Sequence, residues 1–428
     1  MHRYAAISVL LLLGCTTPQR SGRVAACCTR QAFAEALQIV ERHTNRAITE
    51  RRFTHTQFWD AVENSIHAPS LRYETIGRSI LGREIRAVTF GSGPTRVLLW
   101  SQMHGDEATA TMALADLFRF FAEGTSHALQ QRLGRELTVV FVPMLNPDGA
   151  ELFQRQNAIG IDVNRDARRL VTPEARALKS IRDRIEPHFG FNLHDQNART
   201  RAGRNGPPSG IALLPPAYDE AKSYNAVRSR ARLVAATLAN VFGHEIPGRV
   251  AKYDDEFNPR AFGDLMQQWG TSTVLIESGA LPDDPQKQRL RALNAAAILV
   301  ALDAIATRGY QSADPAWYER LPFNAGGAYD LLVRGGRIVL EDEQPMLVDL
   351  AINYDDAVAR TGGRIRDVGD LADAIAIDTL DVNGLYVHPS QNVLTRTPAG
   401  AMLRLGAEAE LEFRRGPSPS TELVRRLP

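Results

Sequence analysis

The stretch Val97-Leu98-Leu99-Trp100-Ser101-Gln102-Met103-His104-Gly105-Asp106-Glu107 decides how the rest of the chain is read. Its first four residues are apolar and read as a buried strand. After the turn, Ala108, Met112, Leu114, Ala115, Leu117 and Phe118 recur at helical spacing. His104 and Glu107 therefore sit three residues apart at a strand-to-helix turn, and Gly105 between them allows that turn to be tight. Imidazole and carboxylate are both zinc ligands, and two histidines with one glutamate around an open position form a catalytic arrangement. Taken alone, these four residues are better read as a solvated turn with a capping acid. The remainder of the chain changes that reading.

Strands and helices alternate on both sides of this stretch. Phe33, Leu37 and Val40, then Phe58, Val62 and Ile66, predict two helices within residues 31–67, closed by Ala68-Pro69. Strands are expected at Glu84–Phe90 and Arg96–Trp100, and a helix from Glu107 to near Gly124. Leu137–Met144 is a β-branched, apolar strand that runs into Asn146-Pro147-Asp148-Gly149, a strong turn signal. Thr172 as N-cap and Pro173 at the first helical position open a helix to about Glu186. Further strands are expected at Phe189–Leu193, Ile211–Leu214 and Thr271–Ile276, with helices at Ala217–Asn240 and Asp284–Thr307. This alternation implies an α/β fold with a mixed, mainly parallel sheet.

After about residue 320 the pattern changes to short alternating strands and Gly-rich turns, among them Tyr329–Arg334, Arg337–Leu340, Met346–Asn353 and Glu410–Phe413. That reads as a small all-β domain, a sandwich or barrel. Tyr329-Asp330-Leu331-Leu332-Val333-Arg334-Gly335-Gly336 looks like the opening of the small β domain of amidohydrolases, but no His-x-His pair or barrel accompanies it. It is read as accessory. The expected organisation is a leader at 1–15, a linker at 16–30, a main domain at 31–310 and the β domain at 321–428.

The 428 residues carry a net charge of +1, so no bulk charge points to nucleic acid or an anionic surface. The run Ala5–Leu13 is too short to span a bilayer as a mature helix and has the shape of a signal-peptide core. Its ending, Leu12-Leu13-Gly14-Cys15, resembles a bacterial lipobox, which implies a lipid anchor at Cys15 in the cell envelope. Thr16 after the cysteine leans toward the outer membrane. A plain secretory signal is the alternative. The two remaining cysteines, Cys27 and Cys28, are adjacent and lie in the tether, so a disulfide framework is excluded and the four thiolates of a structural zinc site are not available.

Ligands of open α/β sheets gather at the carboxyl ends of strands. Here those ends carry His104 and Glu107, then His194 in Phe191-Asn192-Leu193-His194, then Glu277 in Val274-Leu275-Ile276-Glu277. One histidine at a strand end is ordinarily just a satisfied polar residue. Two histidines and two glutamates are harder to explain that way.

With these motifs in this order, residues 70–308 resemble the zinc carboxypeptidase family. His104-x-x-Glu107 matches its His-x-x-Glu, Asn146-Pro147-Asp148-Gly149 its turn, and Gly160-Ile161-Asp162-Val163-Asn164-Arg165 the segment with its Asn-Arg pair. The resemblance implies a twisted sheet of about eight strands flanked by helices. It implies one Zn²⁺ held by His104, Glu107 and His194, with Glu277 as general base for the attacking water. It assigns Arg155 to the oxyanion and Asn164 and Arg165 to the substrate's terminal carboxylate, which a planar guanidinium can grip with two hydrogen bonds. Asp162 matches the acid that orients the first histidine, or is a surface ion pair. Tyr253 matches the tyrosine that closes over substrate, or packs. Asp254, Asp255 and Asp264 are candidates for the side-chain pocket. Arg199, Arg201 and Arg204 are expected on a solvated loop face, contact with an acidic substrate being the alternative.

The function so implied is that of an exported, zinc-dependent metallopeptidase of carboxypeptidase type, acting on a peptide or peptide-like substrate with a free carboxylate. No obligate protein partner is implied. Two rivals share the fold: a murein-peptide amidase and an N-acyl amino acid deacylase. A third rival is a non-catalytic peptide-binding protein, against which the presence of every ligand and of Glu277 argues.

Overall fold

The computed structural model describes residues 29–124, 127–340, 343–398 and 400–427, so Cys15, Cys27 and Cys28 lie outside the described residues. In chain order the first strands are β1 (Leu71–Arg78), β2 (Glu84–Gly91), β3 (Thr95–Ser101), β4 (Leu137–Val142), β5 (Phe189–Asp195), β6 (Arg201–Ala202), β7 (Ile211–Leu214), β8 (Val250–Lys252) and β9 (Ser272–Ser278). All but β6 form one eight-stranded sheet in the order β1-β2-β4-β3-β5-β9-β7-β8. The centre of the sheet, from β4 through β3 and β5 to β9, is parallel, and the flanks turn antiparallel. Parallel centre strands are covered on both faces, which is why β3 and β9 are apolar runs rather than alternations.

The helices are α1 (Arg30–His43), α2 (His55–Ile66), α3 (Thr109–Ala122), α4 (Ala128–Glu136), α5 (Pro147–Leu152), α6 (Pro173–Ile185), α7 (Ala226–Glu245), α8 (Phe262–Gln268), α9 (Gln288–Ala306) and α10 (Ala316–Glu319). One core cluster packs α1, α2, α3, α7 and α9 on one face of the sheet, with Phe118, Phe121, Phe242 and Ile298 fully buried. A second cluster, around Trp100, Leu178 and Phe262, places α6 and α8 on the other. The α/β reading and the eight strands are thus borne out. Among the described residues no helix is long and apolar enough to cross a membrane.

Several boundaries differ from expectation. The third helix begins at Thr109, so Glu107 lies in the loop before it. The helix expected at Ala217–Asn240 starts at Ala226, where the Asn225 side chain accepts from the Arg228 N–H, and residues 217–225 form a turn with Lys222 at φ +54. Strand β1, helix α4 and strand β8 were not expected. β1 is largely exposed, so its sequence lacks the apolar alternation that marks a half-buried strand.

The C-terminal strands are β10 (Asn324–Ala325), β11 (Tyr329–Ile338), β12 (Met346–Asp356), β13 (Thr361–Gly369), β14 (Ala376–Asp381), β15 (Tyr386–Pro389), β16 (Leu394–Thr397), β17 (Gly400–Leu403), β18 (Leu411–Arg414) and β19 (Leu423–Leu427). β11–β15, β18 and β19 make a seven-stranded sheet, β16 and β17 a two-stranded ribbon. Gly335-Gly336 does not break β11 into two strands. The register with β12 shifts there and Gly335 takes φ +76, which makes the pair a bulge. This sheet has its own core, with Leu350, Ile365, Leu411 and Phe413 fully buried.

Candidate metal centre and active site

Adjacent strands β3, β5 and β9 bring the candidate residues to one edge of the sheet. His194 and Glu277 are direct register partners across the β5–β9 pair. The loop carrying His104 and Glu107 leaves the end of β3, which pairs with β5 on its other side. That loop is locked to the Asn146–Gly149 turn. A Cβ on Gly105 would lie 1.9 Å from the Gly149 carbonyl carbon, so the glycine is required by close backbone approach. The residue with positive φ is Gln102, at +48, and its buried amide donates to the Gly105 carbonyl at 2.9 Å. Asn146 accepts from the Gly149 N–H at 2.9 Å and donates to the Met103 carbonyl at 3.2 Å. Two motifs separated in sequence are therefore one structural unit.

His104, Glu107 and His194 are 2, 8 and 2% exposed, and their donor atoms lie within 4.8 Å of one another. His104 Nδ1 lies 2.8 Å from one Glu107 oxygen and His194 Nδ1 lies 2.6 Å from the other. His104 Nε2 donates to Asp162 Oδ1 at 2.9 Å. In the neutral ring this makes Nδ1 the lone-pair nitrogen, facing a carboxylate oxygen. Two acceptors that close repel unless a cation lies between them, either a proton or a metal ion. Two imidazoles and a carboxylate are zinc donors, and Asp162 supplies the outer hydrogen bond that fixes a ligating histidine. The residues fit a zinc ion.

The electrostatics agree. Burial disfavours a charged His104, but the Glu107 charge and the Asp162 hydrogen bond outweigh it and raise its pKa to about 9. Burial likewise opposes charge on Glu107, yet the two imidazoles hold it well below the carboxylate range. His194 is pushed down by burial. Glu277, 8% exposed, is raised well above the ordinary carboxylate range by burial and by the Glu107 charge. The two glutamates are thus driven in opposite directions.

Arg155 braces the cluster from the solvent side. Its guanidinium donates to Asp162 Oδ2 at 3.1 and 3.0 Å and to Glu107 at 3.3 Å. Asn164 follows Asp162 in a short 3-10 turn, and its side-chain oxygen accepts from the Phe262 N–H at 2.9 Å. Its amide nitrogen lies 3.4 Å from His194 Nε2, so both ends of this side chain already have neighbours. Arg165 donates one guanidinium N–H to the Asn164 carbonyl at 2.8 Å and lines the cavity. Asp162 therefore contacts His104 and Arg155 rather than forming a surface pair.

All of these groups except Asp162 line one cavity of about 880 Å³. Tyr253 lines it too, and its pKa rises to about 12 through the Glu277 charge and burial. Asp254 and Asp264 line it, and burial lifts Asp264 to about 6. Asp255 turns away to pair with Arg228 at 2.9 Å and Lys222 at 3.3 Å. Of the three arginines expected on a solvated loop, only Arg204 is exposed. Arg199 pairs with Asp330 at 2.8 Å, and Arg201 lies on β6, which pairs with β10. The segment between the two sheets supplies Phe323, Asn324 and Gly326 to the cavity wall. No local motif marks those three residues, because they reach the site only through tertiary pairing.

The family model for zinc carboxypeptidases matches residues 55–200, which bears out the motif resemblance over that stretch. A probable carboxypeptidase 2 of Trichophyton verrucosum is 28% identical over 186 residues, 43% of this chain and 34% of that protein. The chain thus spans about a third of the length of the curated relatives it matches. Among solved structures, a metallo-carboxypeptidase from Burkholderia cenocepacia is 18% identical and covers 60% of this chain and 70% of its own, with a TM-score of 0.48. A murein-tripeptide amidase from Escherichia coli O157 is 22% identical over 56% of this chain and 95% of its own, with a TM-score of 0.35.

Proposed function

We propose that the protein is an exported zinc metallopeptidase of carboxypeptidase type. One observation carries this reading: His104, Glu107 and His194 converge beside Glu277 on the floor of a cavity walled by Arg155 and Arg165. When bound, zinc supplies Lewis-acid polarisation of the scissile carbonyl and acidifies a water. The chain's own residues do the rest. Glu277 takes a proton from the attacking water and returns it to the leaving amine, a role its raised pKa suits. Arg155 places a fixed cation where negative charge develops on the carbonyl oxygen. Arg165 grips the substrate's terminal carboxylate, and Tyr253 donates a phenolic hydrogen bond from the cavity wall. Asp162 holds the His104 ring in the tautomer that points Nδ1 inward. Export and a lipid anchor are proposed from Leu12-Leu13-Gly14-Cys15, and Cys15→Ser should release the protein from membranes.

The test compares Glu107→Gln with Glu277→Gln. Glu107→Gln exchanges an anionic ligand for a neutral amide and should lower zinc content. Glu277→Gln should keep near-stoichiometric zinc and bind peptide, yet lose about 10²–10⁴ in turnover. Elemental analysis beside digestion of a mixed peptide pool, with a murein tripeptide included, reads all of this. Loss of zinc in Glu277→Gln, or full activity in it, removes Glu277 as base. Cleavage of the murein peptide alone would move the reading to an amidase.

A further inference from the structure

Behind the metal ligands lies a buried polar cluster that none of the roles above uses. Lys287 is 4% exposed and sits at φ +52, immediately before α9. Its ammonium lies 2.9 Å from Asp195 Oδ2 and donates to the Ser278 carbonyl at 3.3 Å. The same Asp195 oxygen accepts from the Thr109 hydroxyl at 2.6 Å. The Asp195 backbone N–H in turn donates to Glu107 Oε2 at 3.1 Å. The three anchors fall at matched places in the chain. Thr109 is two residues past Glu107, Asp195 is one past His194, and Ser278 is one past Glu277. Asn294 on α9 completes the set by donating to the Ser278 hydroxyl at 2.9 Å.

We infer that Lys287 is a positioning residue that ties the ends of β5 and β9 and the start of α3 into one frame. Through Asp195 it fixes the N–H that orients the Glu107 carboxylate, and through Ser278 it fixes the backbone beside Glu277. The inference rests on reading His104, Glu107 and His194 as metal ligands. A buried lysine in a left-handed conformation is unfavourable on two counts, and an apolar pair of similar volume is commonly as stable as a buried ion pair. Stability alone therefore does not account for the cluster. Outer-shell groups that aim ligands do account for it, since losing one typically weakens metal affinity about 10–100-fold.

The experiment measures the zinc dissociation constant of the full chain by chelator competition, for wild type, Thr109→Val, Thr109→Ser, Lys287→Met and Lys287→Arg. Melting of the metal-free proteins is followed in parallel. Thr109→Val deletes one hydroxyl and keeps the side-chain shape, so it remains informative where Lys287→Met does not fold. Thr109→Val and Lys287→Met should bind zinc about 10–100-fold more weakly. Thr109→Ser and Lys287→Arg, which keep the hydroxyl and the cation, should recover most of that loss. A merely structural cluster moves only the melting temperature. Wild-type zinc affinity in Thr109→Val, joined by wild-type affinity or failure to fold in Lys287→Met, overturns the inference while leaving the metal centre intact. A wild-type protein that takes up no zinc removes the metal centre itself, and this inference with it.

Discussion

As a proposed zinc donor, His104 would be contested by a proton and the metal ion. In the metal-free protein the Glu107 charge and Asp162 keep this imidazole protonated up to about pH 9, although burial opposes it. Zinc needs the neutral ring, so binding must expel that proton. Below about pH 9, zinc affinity should rise with pH, by up to about tenfold per unit. Above about 9 the contribution of His104 should vanish. Calorimetry at pH 7.5 in buffers of different ionisation enthalpy reads the released protons, and uptake of zinc without net release would contradict this picture. His104→Asn should abolish the slope along with most of the affinity. At this scale the sequence was informative: His104, Glu107, His194 and Glu277 lie together because each ends a strand or the turn after it. Asp195 and Lys287 were not legible, since a buried ion pair between residues so far apart leaves no local pattern.

Between elements, the decisive contact is backbone on backbone. Gly105 reads as a turn glycine, yet its role is to let the His104–Glu107 loop rest on the Gly149 backbone of α5. Gly105→Ala must push these apart. Overpacking of this kind costs roughly 1–3 kcal/mol or more, and the shift falls on the residue next to His104. Urea denaturation of the metal-free protein and zinc content should both suffer. Gly243, inside α7 with nothing within 4 Å of its missing Cβ, is the control, and Gly243→Ala should stabilise by up to about 1 kcal/mol. Equal effects at the two sites would remove the argument from close approach. Elements with strong periods or caps were legible, such as α6 behind Thr172-Pro173. The start of α7 was not, because helical spacing runs backward through a turn that only the Asn225 cap ends. β8, three residues long, is too short for any period to register.

Across the whole molecule, the segment that joins the two sheets forms part of the cavity wall. Lys252 N–H donates to the Pro322 carbonyl at 2.7 Å, Gly203 N–H to Phe323 at 2.9 Å, and Asn324 to the Gln196 side chain at 2.6 Å. Arg199 then ties the loop after β5 to Asp330 on β11. A boundary near residues 310–320 is still our proposal for where the chain divides, but the contacts make the choice of cut consequential. Ending the chain at Ser312 removes Tyr318, which is buried, together with the stretch that carries Phe323 and Asn324. Ending it after Gly326 keeps both. The proposed zinc donors lie on β5 and on the loop after β3, away from either cut, so both fragments should retain zinc if they fold. Only the shorter one should lose affinity for peptide. In the full chain, Phe323→Ala tests the same wall without truncation: Phe323 is 54% exposed and its ring centroid lies 4.5 Å from the Lys252 ammonium. The expected result is a several-fold rise in KM with kcat and zinc content unchanged. Peptide affinity equal to wild type in Phe323→Ala and in the shorter fragment would mean that the segment carrying Phe323 and Asn324 plays no part in the cleft.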